Sequence, residues 1–508
     1  MPAQEKSGPT MTMPGLVVGG TASHVGKTLT TLALLCALKV RGLVVRAAKI
    51  GPDFIDTSYH AAITGAPAAN LDAWMSEPHG ETSGLDRLVN RMCHPCPDLP
   101  RPDLLVIEGA MGLYDGGARG AASTALTAAM LDLPILLLLD VGGMGQSVAA
   151  LAEGFLRHRP QWAQWARWAV NGAPEFAGIV CTRVGGEKHK DLLRDALAMV
   201  EEAPLIGLLP REGAPNLPSR HLGLVDASEA LPNIDQRALG NWMEENCRLD
   251  ALLDRIGAPL GRVGAPEIPA ARRFFFPPAK PGREGPLVGI AQDAAFSFCY
   301  ADLPALLQEM GARTVFFSPL EDAAPPECDG LYFPGGYPEL HARALSDNAS
   351  MPAALRRLAT RGLPMYGECG GYMYLMRSLR HEGMEYAMSG LLPVRCVMQK
   401  RRTALGYRAT RALPGWLGDD KKTYWSRGHE FHYGRLDDVA PGDGQESLPV
   451  WEMWDSGGAS LGAEGCRRGS VAGSWVHLYP EGSRSFWKAW LRLCRNFMSG
   501  RTHADSDS

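Results

Sequence analysis

Gly20-Thr-Ala-Ser-His-Val-Gly26-Lys27-Thr28 decides how the first half of this chain is read. The stretch follows an apolar run, Leu16-Val-Val-Gly, that reads as a strand. It opens a segment, Thr28 to Val40, whose apolar residues recur at helical spacing. A glycine-rich turn between a strand and a helix turns backbone N–H groups toward phosphate oxygens, and the helix N-terminus adds positive potential. In that setting Gly20, Thr21, Ser23, Val25 and Gly26 form the cradle. Lys27 reaches the β- and γ-phosphates, and the Thr28 hydroxyl is a ligand for Mg²⁺. Five residues separate Gly20 from Gly26, where the standard phosphate loop has four.

Working outward, Leu43 to Ala48, Leu104 to Ile107, Ile135 to Asp140 and Ala177 to Cys181 read as further strands, with helical stretches between them. That alternation over residues 14–257 predicts βαβ units and a mostly parallel sheet. Ligands of such sheets collect at the carboxyl ends of the strands. Two acidic motifs fall there: Gly51-Pro-Asp53-Phe-Ile-Asp56 and Glu108-Gly-Ala-Met-Gly-Leu-Tyr-Asp115-Gly. Mg²⁺ prefers oxygen ligands and keeps waters, so Asp53 and Glu108 are read as its carboxylates. Asp115 is open between a substrate or metal contact and an Asp-Gly turn residue. Asp140 is equally open between a nucleotide-proximal acid and a strand terminator.

Beyond residue 257 the composition changes. Residues 258–285 are rich in Pro, Gly and Arg without periodicity and read as a linker. The α/β pattern then restarts over residues 286–498, with strands at Leu287–Ala291 and Arg313–Phe317 and a helix over Leu303–Met310 between them. The tail RTHADSDS reads as disordered.

This second domain carries Tyr366-Gly-Glu-Cys369-Gly370-Gly-Tyr, a cysteine held by glycines between a strand and a helix. Such an elbow exposes the sulfur, and the helix start favours its thiolate. Upstream, Phe333-Pro-Gly335-Gly336-Tyr ends a strand in a glycine turn. Its N–H groups, with that of Gly370, suit an oxyanion hole. Downstream, His477 is the base expected to activate Cys369.

Composition limits the remaining choices. The chain has 508 residues, more than one core usually serves. A net charge of -4 gives no field for nucleic acid or an anionic membrane. The longest apolar run, Leu133 to Leu139, is far below the ~20 residues of a membrane helix. The 11 scattered cysteines, with no secretory pattern at the N-terminus, point to reduced thiols in a cytoplasm. Cys93-His-Pro-Cys96 lacks the second pair that a tetrahedral zinc site needs, and reads as two loop thiols.

The longer phosphate loop resembles that of dethiobiotin synthetase-like ATPases. As a whole, from Gly15 to about Trp490, the sequence resembles the cobyrinic acid a,c-diamide synthase family of corrinoid biosynthesis. The motifs that carry this are GTASHVGKT, KIGPDFIDTSYH, NLDAW (70–74), EGAMGLYDG, LPSRHLGLV (217–225), DAAFSFCY (293–300), FFSPL, FPGGYPELHA, YGECGGYMYL and RGHEFHYGR (427–435). The resemblance implies an ATP- and Mg²⁺-using amide-forming domain, dethiobiotin synthetase-like in fold. It also implies a class I, triad-type glutamine amidotransferase domain, flavodoxin-like in fold, with Cys369 as nucleophile and His477 as its partner. The implied activity is amidation of the a and c acetate side chains of cobyrinic acid, with ammonia drawn from glutamine. Hydrogenobyrinic acid and nickel-sirohydrochlorin are the alternatives, and a non-catalytic phosphate-loop regulatory ATPase is a remote one. The expected partner is a small tetrapyrrole acid, with neither nucleic acid nor membrane; a homodimer is compatible with the resemblance. His429, Glu430 and His432 either shape the glutaminase site or its interface with the ligase domain, or are buried structural residues. Tyr479 stands where many class I glutaminases have a Glu, so the third triad member is not readable. Cys299 replaces an aromatic, and Thr182 an Asn, of the family's usual pattern.

Overall fold

The computed structural model describes residues 13–77, 83–93, 99–117, 120–159, 174–214, 219–220, 223–224, 234–261, 275–276, 284–418, 421–437 and 447–506. The chain forms two compact units. One comprises residues up to Trp74 and Leu85–Phe276; the other comprises Met75–Gly84 and Pro277–Ser508.

The first unit is built on a seven-stranded sheet. Its strands are β1 (Gly15–Gly20), β2 (Val45–Ile50), β3 (Ala69–Leu71), β4 (Leu104–Glu108), β5 (Ile135–Asp140), β6 (Phe176–Val184) and β7 (Leu205–Pro210), in the order β3-β2-β4-β1-β5-β6-β7. All neighbours run parallel. The strands are apolar along their length because helices cover both faces of such a sheet. Helix α1 (Lys27–Val40) buries Leu32 to Leu38 in that core, and Gly240 of the helix Gln236–Asn246 lies against its backbone. The strand expected over residues 43–48 is found at Val45–Ile50, because Leu43 and Val44 are spent closing the turn after α1. That shift puts Lys49 beside Glu108 at the carboxyl ends of two paired strands.

The second unit holds a six-stranded sheet in the order Arg313–Phe317, Leu287–Ala291, Gly330–Phe333, Met365–Glu368, Val471–Ser474, Cys466–Arg468. Only the last pair is antiparallel. Phe333 pairs with Gly367, and Glu368 with Ser474. The residues that follow these three strands therefore emerge side by side: Pro334-Gly335, Cys369 and Trp475 to His477. A five-stranded antiparallel sheet packs nearby, and its strand Trp425–His432 pairs with His477–Leu478.

One expectation is corrected. The final helix runs from Arg484 to Ser506, so most of the tail read as disordered is helical. Arg501 anchors it through Glu327 at 3.0 Å and Asp329 at 3.1 Å, long-range partners that composition does not reveal. Cys93 is a free thiol. Cys96, most of the linker, and most of LPSRHLGLV lie outside the described residues. No described helix is long and apolar enough to cross a membrane.

Candidate active site

At the end of β1 the loop turns through His24 and Gly26, both at positive φ (62° and 94°). A side chain at Gly20 would sit 2.4 Å from Val25, so the tight turn requires glycine there. No side chain caps α1 at Gly26, which leaves the first-turn amides directed at the loop. The Thr182 hydroxyl, on β6, donates to the Val25 carbonyl at 2.8 Å. The residue that departs from the family pattern thus buttresses the phosphate loop.

Lys27 donates to the carbonyls of Ala22 (2.8 Å) and Met111 (2.5 Å). Burial and the neighbouring Lys49 bring its pKa down to about 8. Thr28 Oγ1 donates to Glu108 Oε1 at 2.7 Å, and Lys49 Nζ donates to the same oxygen at 2.8 Å. His60 Nε2 meets Glu108 Oε2 at 2.9 Å, and Lys49 also pairs with Asp56 at 2.6 Å. Burial by itself would raise the Glu108 carboxyl. The Lys49 ammonium and the His60 hydrogen bond outweigh that and hold it well below the usual carboxylate range. Asp56 is pushed the other way, by burial and by Glu108 and Asp53.

Thr28 and Glu108 therefore meet directly. Lys49, Asp56 and His60 complete the cluster without having been singled out from sequence. The signal was present in KIGPDFIDTSYH: Asp56 and His60 stand four apart on one helix, after a lysine that ends a strand. Asp53 lies at the edge of the same cluster, where its charge acts on Lys49 and Asp56. Its Oδ1 caps helix α2 (Phe54–Thr64), accepting from Ile55 and Asp56 N–H at 2.9 and 3.1 Å. Asp115 accepts from Gly112 N–H at 3.0 Å, the turn arrangement, while its charge acts on Lys27. Asp140, the last residue of β5, accepts from Gly142 N–H and pairs with Arg183.

Among the described residues no three His, Cys, Asp or Glu converge to hold a metal. Mg²⁺ at a phosphate site needs fewer protein ligands, since phosphate and water oxygens supply the rest. Adjacent ligands in an octahedron of Mg–O bonds lie about 2.9 Å apart. The 2.7 Å between Thr28 Oγ1 and Glu108 Oε1 matches that spacing, so this pair fits the ion.

In the second unit Cys369 sits at φ 46°, ψ -102° between the strand Met365–Glu368 and the helix Gly370–Leu375. That conformation is unfavourable for any residue with a Cβ. The two residues after it are close-packed: a side chain on Gly371 would lie 2.0 Å from the Phe333 carbonyl oxygen, and one on Gly370 would lie 2.8 Å from Gly336 N. A side chain on Gly335 would lie 2.2 Å from His477 Cε1. The Gly335-Gly336 turn is thus wedged between the elbow and the imidazole.

The Cys369 thiol is buried, and its hydrogen bond goes to the Phe431 carbonyl at 3.9 Å rather than to His477. Burial, with Glu339 next, pushes the thiol up; the Gly370 N–H acts in the opposite sense. His477 stacks on His429 with ring centroids 4.8 Å apart and planes 13° apart, and His429 Nδ1 meets the Tyr300 hydroxyl at 3.2 Å. Burial lowers the His477 pKa to about 3, so the ring stays neutral. Glu430 binds Arg408 at 2.5 Å, and His432 stacks on Trp475 at 4.2 Å. All three polar residues of GHEFHYG are buried; Glu430 acts on Cys369 and His477, and His432 acts on His477. Behind the elbow, Glu368 accepts from the Tyr332 hydroxyl at 2.8 Å and from the Leu478 N–H.

Comparison with known proteins agrees with this two-part layout. Residues 16–225 match the CobQ/CobB/MinD/ParA nucleotide binding domain, and residues 287–484 match the CobB/CobQ-like glutamine amidotransferase domain. The chain is 38% identical over 473 residues to a hydrogenobyrinate a,c-diamide synthase of Sinorhizobium sp, covering 92% of this chain and 98% of that one. It is 36% identical over 471 residues to the enzyme of that name from Rhizobium meliloti (strain 1021), covering 92% and 99%. Among solved structures, PurLQS from Thermotoga maritima aligns with 42% of this chain and 100% of its own, at 15% identity and a TM-score of 0.32. By identity and coverage together, the chain belongs to the a,c-diamide synthase family of glutamine-dependent carbon–nitrogen ligases in corrinoid biosynthesis.

Proposed function

We propose that this protein uses ATP and glutamine to convert the a and c acetate carboxylates of a corrinoid acid into carboxamides. The observation that carries the reading is the pairing, in one chain, of a lysine- and threonine-bearing phosphate loop closed on Glu108 with a strained cysteine elbow beside a neutral histidine.

A carboxylate resists amines because oxide is a poor leaving group. An acetate oxygen attacks the γ-phosphorus of ATP, releasing ADP and leaving an acyl phosphate. Lys27 offsets charge on the transferring group. Thr28 and Glu108 would hold Mg²⁺, which when bound neutralises phosphate charge. In the other unit, the Cys369 sulfur attacks the side-chain carboxamide of glutamine. His477 accepts the thiol proton and returns it to the departing ammonia. The N–H groups of Gly336 and Gly370 face the developing oxyanion. Water then cleaves the thioester to glutamate, and ammonia displaces phosphate from the acyl phosphate to give the amide.

For the substrate, the names of the relatives favour metal-free hydrogenobyrinic acid. Cobyrinic acid is the second reading, favoured by the motif resemblance. All cysteines among the described residues are free thiols, which supports a reducing cytoplasm. The test is amide formation on hydrogenobyrinic acid, cobyrinic acid and nickel-sirohydrochlorin side by side, with glutamine or with high ammonium. Cys369→Ala should abolish glutamine use and retain ammonium use. Equal loss of both would refute the two-site division.

A further inference from the structure

Glu339 follows the Gly335-Gly336 turn at a distance of three residues, in a place that its charge makes costly. Its Oε2 is sealed from solvent and has no hydrogen-bond partner among the described residues. Pro338, next to it, lies 2.9 Å from where a Cβ on Gly370 would sit, so this segment is packed against the cysteine elbow. Glu339 is the strongest charge acting on the Cys369 thiol, and it raises it; it acts on Cys396 in the same sense. Burial brings its own pKa up to about 7, with only its own backbone N–H favouring the charged form.

Two features of this arrangement need a cause. A buried carboxylate oxygen without a donor gives up its hydration and receives nothing in return. A negative charge beside a nucleophilic thiol also opposes the thiolate that the chemistry requires. Both costs vanish if a cation arrives with the substrate. Resting on the glutaminase reading, we infer that Glu339 forms the subsite for the α-ammonium group of the amide-donating amino acid. The ammonium would supply the missing donor for Oε2. It would also cancel the charge that holds the thiol up, so that Cys369 ionises readily only when an α-amino acid is in place. Glu339 is thereby a specificity-determining residue, selecting an α-amino acid amide over a plain carboxamide and limiting idle thiol reactivity.

The experiment compares ammonia release by the full-length protein from glutamine and from 4-carbamoylbutanoate, which is glutamine without its α-ammonium. The wild type should favour glutamine strongly in kcat/KM. In Glu339→Gln the KM for glutamine should rise roughly 10- to 100-fold, as expected for loss of a charge-assisted hydrogen bond. The value of kcat/KM for 4-carbamoylbutanoate should hold or rise, so the preference collapses. Glu339→Asp should recover part of it, and thermal melting of each variant separates misfolding from lost recognition. A preserved preference in a folded Glu339→Gln protein, or an equal fall with both substrates, would overturn the subsite while leaving the glutaminase reading intact. No ammonia release by the wild type from either compound would overturn that reading and the subsite with it.

Discussion

Thr28 Oγ1 donates to Glu108 Oε1 across 2.7 Å, joining the first turn of α1 to the carboxyl end of β4, 80 residues away. The same carboxylate also receives Lys49 and His60. One side chain thus links the phosphate loop to the KIGPDFIDTSYH segment through three groups, Thr28, Lys49 and His60, that burial makes mutually dependent.

Glu108→Gln should separate the two roles proposed for this carboxylate. The amide keeps a hydrogen-bond acceptor for Thr28 but removes the charge that balances buried Lys49. Ammonium-driven amidation is expected to fall at least about 100-fold, the scale for losing a positioned electrostatic group. Breaking a buried charge pair from one side should also cost about 3–5 kcal/mol of stability in the first unit. Nucleotide titration with and without Mg²⁺ checks the first role, and chemical denaturation checks the second. Unchanged Mg²⁺ dependence of nucleotide binding would remove Glu108 from the ligand set.

Gly335→Ala tests the wedge between the elbow and His477. The added methyl would sit 2.2 Å from His477 Cε1, so the ring must move or the turn must open. Glutamine-driven activity should drop about 100-fold, because a misplacement near 1 Å is worth that much. Nucleotide binding by the first unit should persist. A Gly335→Ala protein with normal glutamine turnover would mean that the ring position is irrelevant to catalysis.

Much of this was legible in sequence because it is local. A phosphate loop, a cysteine elbow and a glycine turn are each short chain segments whose backbone demands glycine at fixed offsets, so they show in one sequence. The alternation of strands and helices likewise needs only periodicity. What sequence hid is long-range pairing. Glu368 reads as a neighbour of the nucleophile, yet its partners are Tyr332 and the Leu478 N–H on other strands. Asp53 reads as a metal ligand by its place after a strand, yet one of its oxygens serves as a helix cap, a role the same residue type satisfies equally well. His429 and His477 meet only because two antiparallel strands bring them into register.

Cys369 carries backbone strain that a second substitution exposes. Replacing a buried Ala by Gly ordinarily costs about 1–2 kcal/mol, from lost contacts and greater unfolded-state freedom. At φ 46° and ψ -102° a glycine also relieves strain of about 1–3 kcal/mol. Cys369→Gly is therefore expected to be no less stable than Cys369→Ala in urea denaturation. A deficit of the ordinary size would show the elbow to be relaxed.

The stacked pair His429 and His477 should make stability depend on pH. Burial lowers both, His477 to about 3, while an unfolded-chain histidine titrates near 6.5. Between those values the unfolded chain binds protons that the folded unit refuses. Stability therefore rises with pH across that window, is complete above about 6.5, and is progressively lost below it. Each histidine contributes at most about 1.4 kcal/mol per pH unit. His477→Gln keeps a polar side chain of similar reach and removes one titrating ring. Denaturation midpoints taken from pH 4.5 to 7.5 should show a shallower slope for this variant than for the wild type. Parallel slopes would mean that the folded imidazole takes up its proton as freely as an exposed one, and His477 would then lie in a far wetter setting than its stacked, buried position implies.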